Sequence, residues 1–87
     1  MTDPASRPWQ LLMVGPGIRL ITPEVGDQLV RVFDLSPQTR LIEIETDEGD
    51  VSVSRVWPGE RLERVAAIEA DIDAIPGIRR MTVFQSG

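Results

Sequence analysis

Two short runs either side of Asp47-Glu48-Gly49 constrain this chain more than any other part of it. From Arg40 to Thr46, Ile42 and Ile44 alternate with Glu43 and Glu45. From Val51 to Arg55, Val51 and Val53 alternate with Ser52 and Ser54. Successive side chains of a strand point to opposite faces, so each run has one apolar face and one wet face. Gly49 can take the left-handed position of a three-residue hairpin loop. The two runs read as a β-hairpin, and that pattern commits the middle of the chain to sheet.

The stretch from Leu62 to Phe84 reads as helix, stop and strand. Leu62, Val65, Ile68, Ile72 and Ile75 are spaced three or four apart, which places them on one helical face. Ala66, Ala67, Ala70 and Ala74 fill the rest with the best helix former. Trp57-Pro58-Gly59 ends the hairpin, and this second helix is expected to begin near Glu60. Pro76-Gly77 stops it, and Arg80 to Phe84 reads as a strand, with Arg80, Thr82 and Phe84 on one face and Met81 and Val83 on the other.

The first half follows a similar plan. Residues 1–8 carry two prolines and no periodicity and are expected to form a flexible tail. Gln10 to Val14 holds the unbroken apolar run Leu11-Leu12-Met13-Val14, expected to be a strand buried on both faces, and Gly15-Pro16-Gly17 ends it. Thr22-Pro23-Glu24 is a helix start: Thr22 caps, Pro23 takes the first helical position, and Glu24 suits the positive helix end. Val25, Leu29, Val32 and Phe33 form its apolar stripe, with Gly26 inside for close packing on the sheet. Leu35-Ser36-Pro37 stops the helix.

The resulting order, strand-helix-strand-strand-helix-strand, is the split βαβ plan. It predicts an α+β, ferredoxin-like βαββαβ sandwich over residues 9–87, with two helices on one face of a four-stranded antiparallel sheet. The first and third strands would be central. The second and fourth would be edges, the fourth lying beside the first.

Composition limits function further. The chain has 87 residues and a net charge of −5, and all nine of its basic residues are Arg. An acidic domain of this kind lacks the basic face that nucleic acid or an anionic membrane needs. It contains no Cys, His or Tyr, which removes thiolate chemistry, the usual neutral-pH base and the commonest transition-metal ligand. A non-enzymatic protein is therefore expected, with no catalytic residue, metal or cofactor. No apolar run approaches transmembrane length, and the N-terminus lacks a signal layout, so the expected location is cytoplasmic.

Four groups of residues are candidates for function. The loop Gly15-Pro16-Gly17-Ile18-Arg19 joins a strand to a helix start, where backbone N–H groups and Arg19 could attract an anion. The simpler reading is a tight turn. Glu43, Glu45, Asp47, Glu48 and Asp50 supply oxygen ligands, but without calcium-loop spacing, so a solvated edge is the default. Trp9 and Trp57 lie at element ends and suit either a core or an interface. Arg79 and Arg80 are expected to pair with Asp71 and Asp73.

Two stretches resemble known families. Val14-Gly15-Pro16-Gly17 through Thr22-Pro23-Glu24 is similar to the opening of ACT domains, and Ile75-Pro76-Gly77-Ile78 to the ending of ACT and heavy-metal-associated domains. The ACT resemblance implies a small effector bound near Gly15, Gly17 and Ile18, with Arg19 beside them. The paired cysteines of the heavy-metal family are absent. Val14-Gly15-Pro16, with the acidic, Cys-free composition, also resembles the cofactorless coupling proteins of diiron monooxygenases, although Ile75 to Phe84 departs from that pattern.

The leading expectation is an interaction or regulatory module. It would form a homodimer, or bind a partner protein, through a sheet edge or the open sheet face. Trp57, Arg80, Thr82 and Phe84 are its candidate interface residues.

Overall fold

The computed structural model describes residues 8–15, 22–47, 49–69 and 78–87. Strand β1 spans Gln10–Val14, helix α1 Val25–Val32, and strands β2 and β3 Thr39–Thr46 and Gly49–Ser54. Strands β4 and β5 span Leu62–Glu69 and Ile78–Ser86. The strands form one antiparallel sheet in the order β1-β3-β2-β5-β4.

This is a mostly-β architecture, and it corrects the ferredoxin-like expectation at one decisive point. Residues 62–69 form a strand where a helix was expected, so α1 is the single helix among the described residues. The helical spacing of Leu62, Val65 and Ile68 is real, but intrinsic propensity is a weak prior. A strand with one extra residue uses the same positions differently. Val65 is that extra residue, between Arg64 opposite Phe84 and Ala66 opposite Val83. The offset brings Ala66 and Ile68 onto the core and leaves Val65 exposed. The positions of the expected helix's second half and of Pro76-Gly77 lie outside the described residues.

The strand order changes as well. Among the described residues β1 is an edge paired to β3 alone, not a central strand buried on both sides, and Leu12 on it is 59% exposed. β2, expected at an edge because of its glutamates, is the middle strand. Glu43 and Glu45 fit there because they point away from the core, and a central strand needs only its backbone paired on both sides. β5 lies between β2 and β4, not at an edge beside β1.

The hairpin forms as the alternation requires. β2 and β3 pair from Leu41 opposite Ser54 to Thr46 opposite Gly49, and Gly49 has a φ of 134°. With Thr46 and Gly49 paired, the connection is two residues, not three. Ile42, Ile44, Val51 and Val53 face inward with Ile78, Met81 and Val83, and α1 closes this core with Val25 and Leu29. β5 alternates as expected: Met81 and Val83 are buried, and Arg80, Thr82 and Phe84 take the other face.

α1 is shorter than its start and stop signals suggested. Glu24 takes the N-cap position without a side-chain cap, so Thr22 and Pro23 precede the helix. The Thr22 hydroxyl instead bonds the exposed Glu24 carboxylate and, with Glu24's own backbone, holds its pKa below the ordinary value. The helix ends before Pro37 can act. Asp34 adopts a left-handed φ of 51°, the Leu35 N–H donates to Val30 O at 2.9 Å and the Asp34 N–H to Arg31 O at 3.4 Å. Those two bonds are the Schellman pattern of a helix C-terminus.

Trp9 locks α1 to the sheet. Its ring lies against Gly26, its indole N–H donates to Asp27 at 3.0 Å, and the Arg55 guanidinium sits 4.4 Å from the ring centroid on its face. Of the two readings for Trp9, core and interface, the core is observed.

Candidate functional site

The sheet face opposite α1 carries the polar half of each alternating strand. Cross-strand pairing sorts it into rows. Asp50, Glu45 and Arg80 stand side by side in one row, and Ser52, Glu43, Thr82 and Ala67 in the next. Ser54, Leu41, Phe84 and Arg64 form a third. The first two rows enclose an open-sided depression of about 220 Å³, lined by Glu43, Glu45, Asp50, Ser52, Arg80 and Thr82 together with Ile44 and Val51. The third row adds apolar surface, since Leu41 and Phe84 are half-buried with no helix over them among the described residues.

The charges on this face are paired locally. Arg80 Nε lies 3.4 Å from Glu45 and Arg79 contacts Asp47. These are the partners the structure assigns to the two arginines; Asp71 and Asp73, their expected partners, lie outside the described residues. Pairs this exposed contribute little to stability. Their effect is to set a sign pattern, acidic over β2 and β3 with one basic column from β5. Among the described residues no three carboxylates converge to hold a metal ion.

The other candidates fall elsewhere. Gly15 is half-buried at the end of β1, and its N–H donates to Asp50 O at 2.9 Å, which fixes this turn against β3. Gly17, Ile18 and Arg19 lie outside the described residues, as does Glu48. Trp57 is half-buried in the connection between β3 and β4, where its backbone N–H donates to Glu60 at 3.2 Å. Thr82, Arg80 and Phe84 therefore share the uncovered face, while Trp57 belongs to a separate polar cluster.

That cluster is built on two buried arginines. Arg40, 2% exposed, donates from Nε to both Glu60 oxygens at 3.0 and 3.1 Å, and from its terminal nitrogens to Pro37 O and Gln38 Oε1. Arg55 donates to Thr39 O at 2.9 Å and to Pro37 O at 3.4 Å. Burial pushes the Glu60 carboxyl up, but the Trp57 N–H, the Ser86 side chain and Arg40 outweigh it and hold the pKa below its ordinary value. The signal for these arginines was in the hairpin all along. Arg40 is in phase with Ile42 and Ile44, and Arg55 with Val51 and Val53, so the alternation that defines the core also directs both inward.

Among the described residues, the geometry defines a small antiparallel sheet with one face under a short helix and no helix over the other. No helix among the described residues is long and apolar enough to cross a membrane. Comparisons with protein-family models, curated proteins and solved structures found no match to this chain.

Proposed function

We propose that this chain is a non-enzymatic interaction module that associates, with itself or with a partner protein, through the sheet surface that α1 leaves open. One observation carries the reading. The sheet ends at β1 and β4, each paired on one side only among the described residues, and exposed apolar side chains sit on both edges. An unpaired strand edge presents a row of backbone donors and acceptors that another strand can take up. The half-buried Leu41 and Phe84 on the uncovered face extend that surface inward from the edges. A chain without Cys, His or Tyr has few side chains suited to nucleophilic or acid–base chemistry at neutral pH, which favours binding over catalysis.

Size-exclusion chromatography with light scattering tests the self-association half. A rise from monomer to dimer mass over a concentration series is expected. A monomer mass held up to several hundred micromolar overturns it and leaves a partner protein as the occupant.

A further inference from the structure

We propose that the outer edge of β4 is the self-association edge, and that two copies pair β4 antiparallel across a two-fold axis to make one continuous sheet. This rests on the self-association half of the reading above. The irregularity at Val65 lets the strand pair with its own copy over its full length. Antiparallel strands related by a two-fold axis perpendicular to the sheet must bring residues of the same face opposite each other. In β4, Leu62 and Arg64 stand opposite Ser86 and Phe84, and Ala67 and Glu69 opposite Thr82 and Arg80, so these four positions belong to the uncovered face. Glu63, Ala66 and Ile68 stand opposite Gln85, Val83 and Met81 and belong to the helix-covered side.

Laying the whole strand end to end on its own reverse pairs Leu62 with Glu69, Glu63 with Ile68, Arg64 with Ala67 and Val65 with Ala66. Every one of the first three pairs joins two positions of the same face, and Val65, the extra residue, fills the centre. Without the extra residue an eight-residue strand would fail this condition throughout. No two like charges stand opposite each other in this register. Arg61 and Arg64 balance Glu63 and Glu69 along this edge, so it is charge-neutral in an acidic chain and lies away from Glu43, Glu45 and Asp50. Val65, 44% exposed, lies next to the two-fold axis opposite Ala66 of the second copy.

The opposite edge does not meet the condition. β1 also has one extra residue, Leu12, but it is five residues long. End-to-end self-pairing would put Gln10, opposite Ser54 on the uncovered face, against Val14, whose register partner Val51 is in the core. A second copy therefore matches β4 over its whole eight-residue length, whereas the five-residue β1 matches only in a shifted, shorter register.

The register is tested at Ala67, which is exposed and opposes Arg64 of the second copy. Ala67→Glu places a carboxylate opposite each Arg64, and Ala67→Arg places a like charge there. Sedimentation at low salt should show the Glu variant dimerising about tenfold more tightly than the Arg variant, since each opposed pair occurs twice. General repulsion between chains of net charge −5 predicts the reverse order, because Ala67→Glu makes the chain more acidic. Leu12→Arg, on the other edge, should leave the dimer unchanged. Circular dichroism melts check that all three variants fold. Equal or reversed affinities at Ala67, or a dimer lost in Leu12→Arg, overturn the β4 pairing while self-association itself stands. A wild-type chain that stays monomeric overturns both.

Discussion

Gly26→Ala is expected to destabilise this protein by about 1–2 kcal/mol net, although helix propensity alone predicts a gain. Ala is favoured over Gly inside a helix by up to about 1 kcal/mol. Packing works in the other direction and is larger. A Cβ at position 26 would lie 2.3–2.5 Å from three ring atoms of Trp9. No rotamer change relieves this, because the ring is held by Asp27 on one side and by Arg55 on its face. Either α1 or Trp9 must move away from the sheet, and overpacking of a closed core typically costs about 1–3 kcal/mol. Net of the propensity gain, in a domain of this size that is a fall in melting temperature of roughly 5–15 °C. A thermal melt decides the sign. The double variant Trp9→Ala with Gly26→Ala identifies the cause: once the ring is gone, the added methyl should cost nothing further or stabilise. An unchanged or higher melting temperature for Gly26→Ala alone would show that the helix does not depend on this contact.

The second large effect is expected at Glu60. Its carboxylate is the ion-pair partner of Arg40 and also accepts from the Trp57 N–H, so it ties the β3–β4 connection to the start of β2. Glu60→Ala leaves a guanidinium that is 2% exposed without its counter-ion. Breaking a fully buried pair costs about 3–5 kcal/mol; the Glu60 side chain keeps 15% exposure, so about 2–3 kcal/mol is expected here. Urea denaturation near neutral pH measures it.

The same contact gives the protein an acid limb. The folded-state pKa of Glu60 is depressed, so between the folded and unfolded values the unfolded chain binds the extra proton. The stability from this group is therefore present above the ordinary carboxyl value of 4.5 and is lost as pH falls through the lower folded value. The gap between wild type and Glu60→Ala should narrow on acidification below pH 4.5. A gap that stays constant into strong acid would mean that the carboxylate charge is not what stabilises this corner.

Gly26 and Glu60 also show where sequence reasoning succeeds and where it stops. Close packing at Gly26 was legible from a helical glycine beside an apolar stripe, but its neighbour Trp9 lies seventeen residues away and only folding brings the two together. The hairpin was legible because strict alternation has one interpretation. The alternation of β5 was legible for the same reason, and it placed Thr82 and Phe84 on the uncovered face. Residues 62–69 were not legible. An Ala-rich segment with apolar residues three and four apart satisfies a helix, and it equally satisfies a strand that carries one extra residue.

Local sequence therefore determined three things about this protein. It set the period-2 segments that become β2, β3 and β5, the short helix after Pro23, and an acidic chain without thiol or imidazole chemistry. The tertiary structure decided the rest: that 62–69 pairs as a strand, that the glutamate-bearing β2 lies at the centre, and that β1 and β4 are the edges. The physical reason is common to all of these. Alternation fixes which face a side chain takes, but strand order and the helix-or-strand choice depend on backbone hydrogen bonds between distant segments, and those bonds carry no side-chain signature.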